Sequence, residues 1–528
     1  MSENKKLLKA TGIISSGTFL SRIFGFIRDM VIASIFGAGF STDAFFVAFK
    51  IPNLLRRLLG EGALSAAFIP LFTEYFTVKS EEEAWNFASA VFSALLIILS
   101  AITVIGIIFM PEIITILAPG FYAEPQKFNL TVYLTRITFP YIFLISLTAL
   151  SMGILNSLRH FTIPAMSPVL LNFSLIGAAF FICPYLKIPV SGLAIGVIIG
   201  GILQLILHIP PLIKSGMKFT PDFSFGHPGI KKVVLLMAPS IIGLAATQFN
   251  IFIDTLIASL LTEGSISYLY YADRVMQLPL GVFGTAIGTA ILPTLSSFAA
   301  KRDMEGMRDT LSFGLRFTFF IAIPAMTAQI VLSLPIVSLL FERGEFSRQA
   351  AIHTSQALIA YSIGLWAYSG IKVIAPAYYS VQDTKTPVRI AVISMIVNVV
   401  FNLILMFPLK HAGIALATSL SAMLNLGLLI YYLPDSIKRI DWRQIRNSVL
   451  KIGLSSAVMG TICSLAFSLQ PYLLIKPGVS LGVWRLIWLS FVMLTGLIVY
   501  FGMTILTKSE EMQFLIDAVK SKMRVKPS

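Results

Sequence analysis

Charge is scarce in this sequence: Asp, Glu, Lys and Arg make up only 12% of its 528 residues, about half the share of an ordinary soluble globular chain. A surface facing water on all sides needs more, so water is not the main solvent of this chain. Cysteine is nearly absent. Cys183 and Cys463 stand alone in apolar segments, which excludes a disulfide framework and leaves both thiols as expected packing groups. The histidines are few and show no ligand spacing, so no zinc site is indicated. No Walker-type loop or catalytic-triad pattern is present, and nothing points to an ATPase. Long polar stretches are missing too, which leaves no soluble domain of useful size. Short exterior loops also argue against a membrane-bound glycan polymerase or transferase, whose catalytic carboxylates need a sizeable loop.

What the chain has instead is apolar: 56% of its residues are hydrophobic and the mean hydropathy is +0.84. A helix needs about 20 apolar residues to cross a bilayer. Stretches of that kind, punctuated by Gly, Pro and charge, predict fourteen spans near 10–36, 43–77, 84–110, 128–157, 163–185, 190–213, 229–261, 266–299, 309–341, 349–381, 387–408, 411–434, 447–470 and 481–506. The first is read as a span because it lacks the small-residue cleavage site of a signal peptide. The second contains Pro52 and Gly60-Glu61-Gly62, so a kink or break is expected there, with freed backbone groups facing protein or water.

An internal repeat organises these spans. Asp29–Ser34 resembles Asp254–Ser259 at an offset of 225, Pro70 and Pro164 match Pro293 and Pro387 at 223, and Gly192 matches Gly413 at 221. Slowly drifting offsets point to duplication. Six spans per unit is an even number, so both copies enter the membrane in the same direction. The expected fold is therefore an all-α polytopic membrane protein with two six-helix lobes, 1–218 and 219–440, around a central cavity. Two extra helices follow in 441–507, then a tail, 508–528, that places Met512, Leu515, Ile516 and Val519 near one helical face. That tail reads as an interfacial helix against anionic lipid or as a solvated basic segment.

The net charge of +15 follows topology. Lys5, Lys6 and Lys9, the loop with Lys214, Lys218, Lys231 and Lys232, the loop with Lys301, Arg302 and Arg308, and the C-terminal tail alternate with loops holding little beyond residues such as Lys127, Lys187 and Lys410. By the positive-inside rule both termini are cytoplasmic. The basic balance thus marks membrane orientation and not a nucleic-acid partner.

Several charges remain inside the spans. They include Arg22, Arg28, Asp29, Asp43, Lys50, Arg57, Glu61, Asp254, Asp273 and Arg274, and each Arg or Lys at a helix centre costs about 2.5–3.5 kcal/mol on insertion scales. Asp43, Lys50 and Arg57 recur every seven residues, placing them on one stripe, with Glu61 a turn further on. Arg22 and Asp29 share a face, whereas Arg28 points about 120° from Arg22, so both arginines reach one cavity only if Gly25 bends the span or the cavity is wide. Lys50 corresponds to Arg274 at an offset of 224. Guanidinium groups bind phosphates bidentately, so the set suits a pyrophosphate-bearing substrate and argues against a cation-drug antiporter. The competing reading is a set of intramembrane ion pairs retained for packing. Arg56, Arg136, Arg316 and Lys372 fit span ends where long side chains snorkel.

Residues 15–76, from SSGTFLSRIFGFIRDMVIAS through TDAFFVAFKIPNLLRRLLGEGALSAAFIPLFTEYF, closely resemble the opening of the MurJ/MviN family of lipid II flippases. YADRVMQLPLGVFGTAIGTAILPTLS at 271–296 and QDTKTPV at 382–388 extend the likeness. The resemblance implies the multidrug/oligosaccharidyl-lipid/polysaccharide exporter fold in a bacterial inner membrane. It also implies outward movement of the undecaprenyl-pyrophosphate-linked peptidoglycan precursor, lipid II, with no covalent chemistry. A flippase for another polyprenyl-linked glycan is the nearest alternative. Carried over motif by motif, the implied pyrophosphate residues are Arg22, Arg28 and Arg274, with Asp43, Arg57 and Glu61 in the other matched motifs; Lys50 joins the substrate set by its place in the stripe and the repeat, and Asp29, Asp254 and Asp273 are read as coupling or gating residues. The extra C-terminal helices imply a groove for the polyprenyl tail, and Asp254 is the candidate ligand for a sodium ion. Membrane lipids and cell-wall synthesis proteins are the implied partners.

Overall fold

The computed structural model of the chain describes residues 3–56, 64–218, 220–222, 226–469 and 481–524, and among these there is no strand. The first helices are α1 Glu3–Phe36, α2 Phe40–Leu55, α3 Leu64–Glu74, α4 Glu81–Ile108, α5 Met110–Leu117, α6 Pro125–Thr138, α7 Tyr141–Ser157, α8 Thr162–Phe181, α9 Ser191–Lys214 and α10 Pro228–Ser259. They are followed by α11 Ser265–Pro279, α12 Thr285–Ala300, α13 Met304–Val331, α14 Ser333–Phe341, α15 Arg348–Ser362, α16 Leu365–Ser380, α17 Lys385–Tyr431, α18 Asp435–Lys438, α19 Trp442–Ser468, α20 Leu481–Leu506 and α21 Glu510–Arg524. Among the described residues nine helical segments are long and apolar enough to cross a membrane. Others among the expected spans are charged or interrupted.

Several expected spans are two helices each. Span 4 breaks between α6 and α7 at Phe139 and Pro140, where proline has no N–H to continue the ladder. Span 8 passes through a π-helical turn, Leu280–Gly284, directly after Pro279, and span 10 breaks at Gly364. Spans 11 and 12 are joined by a reversal at Lys410, whose φ of 50° lies in the left-handed region. Span 2 divides into α2 and α3, and its Gly60-Glu61-Gly62 element lies outside the described residues.

The chain forms two compact units: Met1–Ser267 with Arg343–Phe346, and Tyr268–Glu342 with Ser347–Ser528. This division falls later than the repeat boundary at 218, because α10 packs on α3, α4 and α5. In the first unit Phe68, Phe72, Phe87 and Tyr75 stack into an aromatic core between α3 and α4. In the second, Leu311, Leu315 and Phe320 of α13 pack with Val373 and Tyr378 of α16, and with Ile452 of α19 and Val492 and Tyr500 of α20. The two extra helices are therefore part of that core, with Tyr500 Oη donating to the Phe320 carbonyl at 2.6 Å. Both cysteines are buried. Gly288 on α12 serves close packing: a Cβ there would lie 2.5 Å from the carbonyl oxygen of Lys372 on α16.

Apolar residues also cover the outside. Leu486, Leu494 and Ile498 of α20 are 51–72% exposed, an arrangement that fits lipid and would be a liability in water.

Candidate functional site

The first unit organises its charges around two buried carboxylates. Asp43, in the first turn of α2, accepts four hydrogen bonds. Its Oδ1 takes the amide and hydroxyl of Ser267 at 2.9 and 2.7 Å, and its Oδ2 takes the Gly264 amide at 2.7 Å and Lys127 Nζ at 3.0 Å. The amide donors belong to the start of α11, so Asp43 caps a helix other than its own and places its charge at that helix's positive end. Lys127 was placed wrongly from the sequence. It is no loop charge but lies 3% exposed in the first turn of α6, with its ammonium also 4.5 Å from the ring centre of Phe121.

Asp29, 1% exposed, is the second carboxylate. Arg28 grips its Oδ1 through Nε at 3.0 Å and Nη2 at 2.6 Å, while Arg28 Nη1 donates to Asn172 Oδ1 on α8 at 3.0 Å. Asn172 Nδ2 in turn donates to the Ser21 carbonyl at 3.1 Å, tying α8 back to α1. Gly25 faces Asn172 here, and a Cβ on it would sit in ordinary contact, 3.6 Å from Asn172 Nδ2. Arg22 stands apart. α1 is one helix from Glu3 to Phe36, on which Arg22 is exposed while Arg28 is buried. Sharing a helical face with Asp29 does not give Arg22 the same surroundings.

Lys50 is half-buried on α2 and donates to the hydroxyl of Thr255 on α10. That brings an ammonium beside the residue that follows Asp254, itself half-buried. The seven-residue stripe thus reaches two destinations, α11 through Asp43 and α10 through Lys50. Arg57 and Glu61 lie outside the described residues. Among the described residues no group of three or more His, Cys, Asp or Glu side chains could hold a metal ion.

In the second unit Arg274 is half-buried on α11, with Nη2 donating to Tyr270 Oη at 3.0 Å and the guanidinium 5.0 Å from the centre of that ring. Asp273 accepts from Gln277 Nε2 at 2.6 Å. The α11 backbone beside Arg274 is held from α13, where Gln329 Nε2 donates to the Val275 carbonyl at 3.0 Å and Gln329 Oε1 accepts from Ser362 of α15 at 2.9 Å. These two lobes of charge carry polar partners that periodicity does not reveal: Asn172, Thr255, Ser267 and Gln329 are single uncharged residues in apolar helices.

Other intramembrane charges resolve into structural roles. Arg316 is 7% exposed, so it does not snorkel. It donates to Glu510 and, at 3.1 Å, to Glu511 at the start of α21. Glu511 also accepts from Ser448 and Ser509 at 2.8 and 2.7 Å. The C-terminal helix is therefore docked at its first turn. Arg56 donates to Asn53 Oδ1 at 3.1 Å, and Lys372 and Glu74 are exposed.

Comparison with known proteins gives this arrangement its family. The family model described as "Lipid II flippase MurJ" matches residues 32–476. The chain is 41% identical over 433 residues to a probable lipid II flippase MurJ of Vibrio cholerae, covering 81% of this chain and 82% of that protein. It is 40% identical over 427 residues to the lipid II flippase MurJ of Burkholderia cenocepacia, covering 80% and 83%. A solved lipid II flippase MurJ in an inward closed conformation superposes with a TM-score of 0.78 at 32% identity, covering 94% of this chain and 98% of that one. An inward-facing multidrug transporter of the MATE family shares the fold alone, with a TM-score of 0.65 at 13% identity and coverage of 82% and 95%. By sequence and by fold, this multi-pass membrane protein belongs to the lipid II flippase MurJ family.

Proposed function

We propose that this chain moves lipid II across the bacterial inner membrane by alternating access, taking the headgroup from the cytoplasmic side and releasing it outside while the polyprenyl chain stays in lipid. Family membership over most of the chain carries this reading. Both termini are cytoplasmic in this scheme, by the distribution of loop lysines and arginines. Arg22, Arg28 and Arg274 are the proposed pyrophosphate residues. Arg22 supports the assignment by its exposure within a span. Arg28 and Arg274 support it by being held in fixed orientations, against Asp29 and Asn172 in one case and on the Tyr270 ring in the other. A guanidinium already oriented loses little freedom on meeting a phosphate. No covalent bond changes, so the work comes from membrane potential or an ion gradient, and one charge moving through 100 mV is worth about 2.3 kcal/mol.

The test is complementation of a flippase-depleted bacterium together with a lipid II translocation assay, using Arg28→Ala and Arg274→Ala. Both variants are expected to lose translocation at normal expression. Wild-type activity in both would overturn the residue assignment. Sodium at Asp254 is a separate part of the proposal. Asp254→Ala is expected to abolish any sodium-dependent rise in thermal stability, and an unchanged sodium response would remove the ion from the scheme.

A further inference from the structure

Arg136 is an arginine of the helical spans whose side chain is exposed. α4 begins with Glu81, Glu82 and Glu83 under a Ser80 cap, which marks a polar boundary. Rising about 1.5 Å per residue, the helix covers the roughly 30 Å hydrocarbon layer in about 20 residues. Its last turn, around Gly106 and Ile107, therefore stands at the opposite headgroup level. There α4 meets the end of α6 in close contact, since a Cβ on Gly106 would lie 2.1 Å from the Phe139 ring. Arg136, one turn before Phe139, is brought onto α4 by this approach, and its Nε donates to the Ile107 carbonyl at 3.1 Å.

That bond uses one of five guanidinium N–H groups. Among the described residues no carboxylate pairs with Arg136, and the side chain is exposed. Tyr133, three residues earlier on α6, is 46% exposed, as an aromatic ring at a membrane interface is expected to be. Along α4 from this point, Phe109, Ile105, Ile102 and Ile98 form a stripe at helical spacing that is 40–56% exposed. A cation held at headgroup height above an open apolar stripe matches the chemistry of a phospholipid, with phosphate at one end and acyl chain at the other.

We propose that Arg136, Tyr133 and the exposed face of α4 bind one anionic phospholipid, the guanidinium taking the phosphate through its Nη groups and the acyl chain lying along Ile98 to Ile105. The site lies within the first unit and is distinct from the lipid II residues. Only the identity of the leaflet, the outer one, rests on the topology given under Proposed function. The Nε bond to Ile107 fixes the plane of the guanidinium, leaving its outer edge for a bidentate contact.

Native mass spectrometry of the full chain, delipidated in detergent and titrated with phosphatidylglycerol or phosphatidylcholine, tests this. The wild type is expected to retain one phosphatidylglycerol in preference to phosphatidylcholine. Arg136→Gln is expected to weaken that retention about tenfold, in line with the loss of one charge-assisted contact. Arg159→Gln, which removes another exposed arginine, should leave retention unchanged. Equal retention of the two lipids by the wild type overturns the proposal, a comparison that needs no variant to fold. So does undiminished retention by a folded Arg136→Gln chain. Loss of lipid II translocation in the Arg28 or Arg274 variants leaves this readout untouched, so the two proposals fail separately.

Discussion

Asp43→Asn is the substitution whose cost can be worked out atom by atom. The amide keeps the carboxylate's shape, and its oxygen can still accept from the Ser267 amide and hydroxyl. Its NH2 group then faces Lys127 Nζ and the Gly264 amide, two donors where an acceptor stood. Stripping a buried ion pair of one partner costs about 3–5 kcal/mol, and orphaning a buried amide adds about 1–3 kcal/mol. Lys127→Met is milder, because Asp43 keeps the donors on Gly264 and Ser267; losing one hydrogen bond to a charged group is worth about 1.5–3 kcal/mol. The double variant removes the stranded cation, leaving mainly the Gly264 amide at about 1–3 kcal/mol. Adding Lys127→Met to Asp43→Asn should therefore restore about 3 kcal/mol, the lower bound for relieving an unpaired buried charge. Unfolding of the four proteins in a double-mutant cycle, followed by tryptophan fluorescence during denaturing-detergent titration, reads this coupling directly. Additive effects of the two substitutions would refute the idea that the pair acts as one unit.

Three further outcomes follow from the packing and the charges. Arg316→Met leaves Glu511 buried without its cation, so α21 should detach, seen as faster hydrogen exchange across residues 510–524; unchanged protection would show that apolar contacts alone hold the helix. Gly288→Ala pushes a methyl toward the Lys372 carbonyl and should cost about 1–3 kcal/mol, checked as a fall in melting temperature, with no fall meaning that α12 and α16 separate freely. At Glu342 burial pushes the carboxyl up, but the Ser338 and Arg348 hydrogen bonds and the charges of Arg348 and Arg485 outweigh it, so its pKa lies below the usual carboxylate value. A depressed pKa contributes stability above the unfolded pKa that disappears as pH falls through the folded value. Wild type and Glu342→Gln should thus differ in melting temperature at neutral pH and converge in acid; a constant gap would mean the clamp does not depend on ionisation.

The sequence by itself determined that this is a helical membrane protein, because a chain with 56% hydrophobic and 12% charged residues has no other stable solvent. Repeated residues and family strings in the sequence also pointed to two related halves and an anionic, phosphate-bearing cargo. The helix breaks at Pro140 and Gly364 were not read from the sequence, which gave 128–157 and 349–381 as single spans; a proline or glycine alone does not decide a break, since α2 runs through Pro52. Which charges are paired was not legible. Periodicity assigns a residue to a face but not to the element that face meets, so Asp43, Lys50 and Arg57 read as one stripe although Asp43 is committed to α11 and Lys127 while Lys50 reaches Thr255 on α10. Arg316 and Arg136 read alike, as span-end cations, yet one is buried against Glu511 and the other exposed beside Ile107. Only the tertiary structure decides such cases, because desolvation and pairing depend on neighbours remote in sequence: 84 residues separate Asp43 from Lys127, and 195 separate Arg316 from Glu511.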